Sequence, residues 1–264
     1  MHCPPIPQPY FNKLMRAIVE FNLIEDGDRI LIGVSGGKDS LFLAYALSHL
    51  KARIQKNFTM ETLTVNPIFQ DSIFPIEKIR TYMESLDLRF HTIDVDIAGL
   101  IDAHPEKSPC YTCAFFRRGS VNRYALEHGF NKVAYAHHND DAVETLLMGL
   151  LYSGQLHTFT PKTYLDRTNL YVIRPLIYFR EQEIRDAISV HGMEPIDSPC
   201  LYDGNTSRQV IKDLIKDIEP TIPQVYDHLA AAMRVSAVHD LWPREKTRKE
   251  MKTDYYQFIH KKNI

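Results

Sequence analysis

The chain has 264 residues, 44% of them hydrophobic and 24% charged, enough to bury a sizeable core in one large or two small domains. A formal charge of -2 at pH 7 excludes a uniformly basic surface, so any nucleic-acid contact has to be a local patch. No apolar stretch approaches the roughly 20 residues of a membrane span, and Met1-His2-Cys3-Pro4-Pro5 lacks the basic and apolar regions of a secretory signal; a cytoplasmic location with no membrane partner is expected.

Pro4, Pro5, Pro7 and Pro9 hold the first residues extended, and Phe11, Leu14, Ile18 and Phe21 then recur with helical spacing, which predicts a helix over 10–21. The apolar run at 29–34 reads as a strand buried on both faces and leads into a helix over 38–51. A strand at 59–65, a helix at 75–85 and a strand at 89–93 follow. Residues 94–109 read as a long connection, before a helix over 110–128, a strand at 132–136 and a helix over 140–152. A fifth strand at 170–173, a helix at 180–191 and helices at 207–218 and 223–238 complete the order. This alternation predicts an α/β fold: a doubly wound parallel sheet of about five strands, helices on both faces and a helical C-terminus. The expected organisation is an N-terminal extended segment and helix over 1–28, a nucleotide-binding domain over 29–200, and a helical extension over 201–264 packed on it. The stretch 244–264 holds seven Lys or Arg against three acids, with Tyr255, Tyr256 and Phe258 interleaved; it suits an RNA contact and a solvated helix end equally well.

The loop Ser35-Gly36-Gly37-Lys38-Asp39-Ser40 joins the first strand to its helix. Two glycines let the backbone bend and approach an anion, the helix amides point at it, and Lys38 and Ser40 add a charge and a hydroxyl. Asp39 is placed to hold the magnesium that accompanies a polyphosphate. The spacing fits neither the Walker nor the dinucleotide fingerprint, and a bare Gly-Gly would be no more than a turn. After the fourth strand comes His137-His138-Asn139-Asp140-Asp141, followed by Glu144 and Thr145 one turn on. Asp141, Glu144 and Thr145 share a helix face there, within reach of the magnesium on Asp39, although acids in a first turn also suit the helix dipole alone. His137 is a candidate phosphate contact, whereas His138 reads equally as a packed histidine.

The chain has four cysteines. Cys110 and Cys113 lie three apart at a helix start, where both thiols can face one metal; zinc, a redox dithiol and an iron-sulfur cluster all fit that spacing. Cys200 lies far downstream, and Cys3 reads as a non-ligand, since residues so close to a terminus are usually poorly ordered.

The loop at 35–40 resembles the phosphate loop of the PP-loop ATP pyrophosphatases, which split ATP into AMP and pyrophosphate to activate a carbonyl oxygen as an adenylate. Cys110-x-x-Cys113, Arg117-Arg118-Gly119, His137-His138-x-Asp140-Asp141, Arg174-Pro175-Leu176, Pro199-Cys200 and Ser207-Arg208-Gln209, in that order, resemble the tRNA 2-thiocytidine synthetase family over about residues 10–240. The resemblance implies a 4Fe-4S cluster on Cys110, Cys113 and Cys200 with one iron open to sulfide, and ATP and Mg2+ at Ser35, Gly36, Gly37, Lys38, Asp39 and Ser40. It implies adenine against the backbone of Val65 or Asn66, phosphate contacts from His137 and Arg174, and catalytic roles for Lys38, Asp39, Arg118 and Asp141. Its expected partners are tRNA, a sulfide source such as a sulfur carrier or cysteine desulfurase, and a second copy in a homodimer. Thiolation of another nucleobase or small molecule by the same chemistry, and a nucleotide-binding iron-sulfur or redox sensor, are the alternatives. One departure stands out: the family carries a second Cys-x-x-Cys downstream, whereas this chain has Cys200 followed by Asp203.

Overall fold

The computed structural model describes residues 4–68, 74–191, 193–196, 207–234 and 246–260. After helix α1 (Gln8–Glu20), five alternations follow: β1 (Arg29–Gly33) and α2 (Lys38–Arg53), β2 (Thr59–Pro67) and α3 (Ile76–Ser85), β3 (Arg89–Val95) with α4 (Ile97–Asp102) and α5 (Pro109–Glu127), β4 (Lys132–Ala134) and α6 (Asn139–Ser153), then β5 (Lys162–Leu165), β6 (Leu170–Ile173) and α7 (Glu181–Val190). Helices α8 (Ser207–Ile218), α9 (Val225–Ala232) and α10 (Arg248–His260) complete the described chain.

The strands form one sheet in the order β3-β2-β1-β4-β6-β5, parallel except for the β5–β6 hairpin. Alternate residues of β1 face different cores. Ile30 and Ile32 join a cluster with Phe42 and Leu43 of α2 and Ile79 and Met83 of α3, whereas Leu31 joins Val121 and Ala125 of α5. Helices therefore cover both faces, which is why β1 is apolar throughout rather than alternating.

Two elements go beyond the sequence expectation. Helix α4 occupies the connection 94–109, nucleated by Asp96, whose side chain accepts from the Gly99 amide at 2.9 Å. Strand β5 adds a sixth, antiparallel edge strand; Lys-Thr-Tyr-Leu is half-exposed and has too few residues for a periodic signal. Helix α9 is shorter than its expected span, ending at Ala232.

The order reverses at β1, whose neighbours are β2 on one side and β4 on the other. The loops after β1 and β4 thus leave the same sheet edge side by side, the crevice in which open α/β sheets bind ligands. The opposite ends of these strands are clamped. The Lys132 ammonium, 1% exposed, lies 2.7 Å from Asp28 and 2.9 Å from Glu25 and donates to the Leu23 carbonyl at 3.1 Å. Asn131 donates to Asp28 at 2.9 Å and accepts from the Arg29 amide at 2.8 Å, so the register of β4 on β1 is fixed by side chains as well as backbone.

Lys132→Met leaves Asp28 buried beside no cation and should lower stability by about 3–5 kcal/mol in urea unfolding; an unchanged midpoint would remove the clamp from this account.

Candidate nucleotide and cysteine site

The loop after β1 is held open by its own residues. Gly36 has φ +84°, and a Cβ there would lie 3.0 Å from Ile79 and 3.1 Å from Ile196, so both its backbone and its surroundings require glycine. The Ile196 amide donates to the Gly36 carbonyl at 2.9 Å. Ser40 donates to the Gly37 carbonyl at 2.9 Å and accepts from the Ser35 amide at 3.2 Å, closing the loop on itself. Gly37 caps α2 without any side-chain acceptor, so the first amides of the helix face the crevice with the positive end of the dipole behind them.

Asp39 has one oxygen, Oδ2, 3.0 Å from Lys38 Nζ; the other, Oδ1, is buried with no hydrogen-bond partner. A buried carboxylate oxygen without a donor suits an oxygen-seeking cation such as magnesium. Lys38 turns to carboxylates rather than into the cleft, since its ammonium also lies 3.0 Å from Glu181. Burial opposes its charge, but Asp39 and Glu181 outweigh that and raise its pKa. Glu181 is opposed by burial as well, yet Lys212 and Lys38 hold it near 2.

Helix α6 begins under the loop after β4. The Asp141 carboxylate accepts from the His138 amide at 2.9 Å and caps the helix. Asp140, buried, accepts from Arg180 Nε at 3.1 Å and from the Glu181 amide at 2.8 Å. Arg208 of α8 spans the exposed side, 3.3 Å from Asp141 and 2.9 Å from Glu144. Glu144 is 3% exposed, and burial raises its pKa despite Arg208. Arg208 entered the sequence reading only within a motif; it stands 67 residues from Asp141, so no local spacing announces the pair.

A cleft of about 520 Å3 opens where these pieces meet. Ser35, Gly37, Asp39, Ser40, His137 and Asp141 line it, with Val65 at the end of β2 and Arg118 from α5. Four other expected residues do not line it. Gly36 shapes the loop from behind, and Lys38 is engaged as described. Asn66 is turned aside, donating to Asp94 at 2.8 Å. Arg174 donates to the Thr160 carbonyl at 2.7 Å and to the Thr163 hydroxyl at 3.0 Å, and its buried Nε has no hydrogen-bond partner. Burial lowers the pKa of Arg174 to about 10. Burial also lowers that of His137 to about 4, beside Asp141, Arg174, Arg208 and Arg118, so at neutral pH this ring is an uncharged hydrogen-bonding group. Arg117 and Tyr135 are lining residues outside the sequence expectation.

Ser108 caps α5, accepting from the Tyr111 amide at 3.3 Å, with Pro109 in the first turn. Cys110 is exposed and Cys113 half-buried on this turn. Ala114, Arg117, Arg118 and Val121, spaced as one helix face, form a wall of the cleft. Cys110 extends the same stripe toward the helix start, being four residues before Ala114 and seven before Arg117. Among the described residues no three metal-ligating side chains come together. Cys3 and Cys200 lie outside the described residues.

Residues 9–218 match the model of a PP-loop domain. The chain belongs to the PP-loop family. Among its curated relatives, tRNA-cytidine(32) 2-sulfurtransferase of Marinomonas sp. is 36% identical over 224 residues, covering 83% of this chain and 79% of that protein. The enzyme of the same name from Bdellovibrio bacteriovorus is 30% identical, covering 87% and 88%. The solved structure of the U34-tRNA thiolase NcsA from Methanococcus maripaludis with its [4Fe-4S] cluster superposes with TM-score 0.72 at 20% identity, covering 86% of this chain and 77% of that one. The matched span includes the loop 35–40, and the fold is shared with the thiolase.

Arg208→Ala removes the cation facing buried Glu144 and should cost about 2 kcal/mol in urea unfolding, less than for a wholly buried pair because Arg208 is 40% exposed. The His137 value lies below the ordinary 6.5, so the unfolded chain binds more protons between about 4 and 6.5. This contribution to stability is complete above about pH 6.5 and declines as pH falls toward 4. His137→Asn should flatten the stability profile within that window; an unaltered slope would show that His137 is not its source.

Proposed function

We propose that this PP-loop protein is an ATP-dependent tRNA sulfurtransferase that replaces the 2-oxygen of a cytidine with sulfur through an adenylated base. One observation carries the reading: the helix bearing Cys110 and Cys113 continues, through Ala114, Arg117 and Arg118, into the wall of the cleft that the PP-loop opens onto. Relatives named as tRNA-cytidine(32) 2-sulfurtransferases supply the substrate class.

ATP lies with its phosphates on the α2 amides and Ser40, and its adenine near Val65. Asp39, through its unpartnered oxygen, and Asp141 hold Mg2+; the donor set is hard oxygen, as that ion requires. The base carbonyl oxygen attacks the α-phosphorus and pyrophosphate leaves. Sulfide then attacks the activated carbon, and AMP departs with the former carbonyl oxygen. Arg118, on the cleft wall, offsets the charge that develops on the phosphates, with Arg208 opposite. Lys38 fixes Asp39 from its far side, and Arg174 acts on the same region from behind Tyr135. Neutral His137 donates a hydrogen bond without adding charge.

Cys110 and Cys113 provide two thiolates of a 4Fe-4S site, and Cys200 is the third. Ile196 packs on Gly36 behind the loop, and Arg208 lines the cleft and reaches Asp141, so described residues before and after that cysteine meet the two walls of the loop region. When bound, a cluster with three protein ligands supplies an iron that can carry sulfide. A cytoplasmic protein working with a sulfur carrier or cysteine desulfurase, and paired as a homodimer, fits this chemistry. No helix of the described residues is long and apolar enough to cross a membrane.

Protein prepared without oxygen should be brown, absorb at about 400 nm and release pyrophosphate only with tRNA present. Colourless protein with stoichiometric zinc would refute the cluster, and RNA-independent turnover would refute the substrate. Cys110→Ala should abolish 2-thiocytidine in nucleoside mass spectrometry while sparing ATP binding. Asp39→Asn should slow pyrophosphate release about 100-fold or more.

A further inference from the structure

The outer edge of α5 carries a feature that the sulfurtransferase chemistry does not use. Tyr111 and Phe115 are 52% and 53% exposed, with rings stacked at 6.1 Å between centroids and 16° between planes. They are one helical turn apart, and Arg118 continues the ridge at the next i+3 position, where it lines the cleft. The ridge is braced from beneath. Phe116 meets Phe115 edge to face at 5.4 Å and is itself packed at 5.4 Å by His104, from just beyond α4. Arg118 is held by donation from Nε to the Ala114 carbonyl at 3.1 Å. Between Lys107 and Glu127 the chain has Arg117, Arg118 and Arg123 and no acid.

Two exposed aromatic rings on a rigid helix cost free energy unless something covers them. Their setting selects the occupant. Flat π-faces flanked by arginines, on a helix stretch without an acid, match a nucleobase on a phosphate backbone, and stacking of this kind requires an unpaired base. We propose that Tyr111 and Phe115 form a stacking platform for an unpaired nucleotide next to the target base of the RNA substrate, with Arg117 and Arg118 meeting the phosphate between the two. The platform rests on the sulfurtransferase reading and deepens it: it implies a substrate base in a single-stranded loop, placed beside the cysteines by its neighbour.

The test uses the full-length protein, an in vitro transcribed tRNA and a fully paired RNA duplex of equal length. Phe115→Ala and Tyr111→Ala should each weaken tRNA binding about tenfold, with duplex affinity unchanged. ATP affinity and visible absorption of Phe115→Ala should match the unaltered protein. Phe115→Trp should keep its affinity, and its added emission should be quenched by tRNA, a signal that a merely structural side chain would not give. Unaltered tRNA affinity in both alanine variants would overturn the platform, as would unquenched emission at saturating tRNA. A lost oligomer with normal tRNA affinity would also overturn it, by assigning the ridge to a protein contact. Failure of the unaltered protein to bind tRNA would overturn the sulfurtransferase reading and the platform with it, whereas normal binding with insensitive variants overturns the platform alone.

Discussion

The pairing of β1 with β4 is the constraint on which the site depends. These strands are neighbours in space but about 100 residues apart in sequence, and their adjacency brings the PP-loop to the acidic start of α6. Only three residue pairs make the ladder, from Ile30 with Lys132 to Ile32 with Ala134. A ladder that short is a weak specification of register, and a slip by one residue would turn each side chain to the wrong face. The buried ions at the opposite end compensate. Lys132 and Asp28 can be buried together only in one register, because any other leaves a charge in the core without its partner. A costly pair 1% and 4% exposed is thus placed where misalignment would be most damaging to the cleft.

Negative charge is concentrated around the cleft before any substrate is present. Asp39, Asp140, Asp141, Glu144 and Glu181 cluster at the starts of α2, α6 and α7, where helix dipoles favour carboxylates. Dipoles worth a fraction of a kcal/mol to about 1 kcal/mol each do not offset several buried carboxylates, so cations come from remote parts of the chain: Arg180 to Asp140, Lys38 and Lys212 to Glu181, Arg208 to Glu144 and Asp141. Among the carboxylates of this cluster, Asp39 has a buried oxygen, Oδ1, with no hydrogen-bond partner. The carboxylate network is open at that oxygen, the atom to which the proposed magnesium would bind.

What could be read from the sequence divides along the range of the interactions. Local signals were legible: the two buried-strand runs, the glycines of the loop, the acids opening α6 and the bounds of α8 all follow from neighbours a few residues apart. The family was legible through motif order. Long-range partners were not. Lys38 carries the same charge whether it faces a phosphate or Glu181, and only the packing of α7 against α2 turns it to the latter. Asn66 sits at the end of β2 as expected, and β3 presents Asp94 beside it, so the Asn66 side chain is engaged in a cross-strand hydrogen bond that no local spacing announces. Arg174 similarly precedes a proline at a strand end, where the β5 hairpin absent from the sequence reading captures its guanidinium.

Helix α5 both packs on the sheet and walls the cleft, with Val121 common to the two. Its inward stripe, Val121 and Ala125, packs on the sheet and fixes the axis. Toward the helix start the same face continues through Arg118, Arg117 and Ala114, which with Val121 wall the cleft, and Cys110 extends it by one more turn. Tyr111 and Phe115 lie on the outer flank. A rigid helix rising about 1.5 Å per residue converts sequence spacing directly into distance. Cys110 and Arg117 are therefore separated by about 10 Å along the axis. That separation follows from backbone geometry rather than from side-chain adjustment. It sets the cysteines at a fixed distance from the cleft wall, as the proposed transfer of sulfur to a base held in the cleft requires.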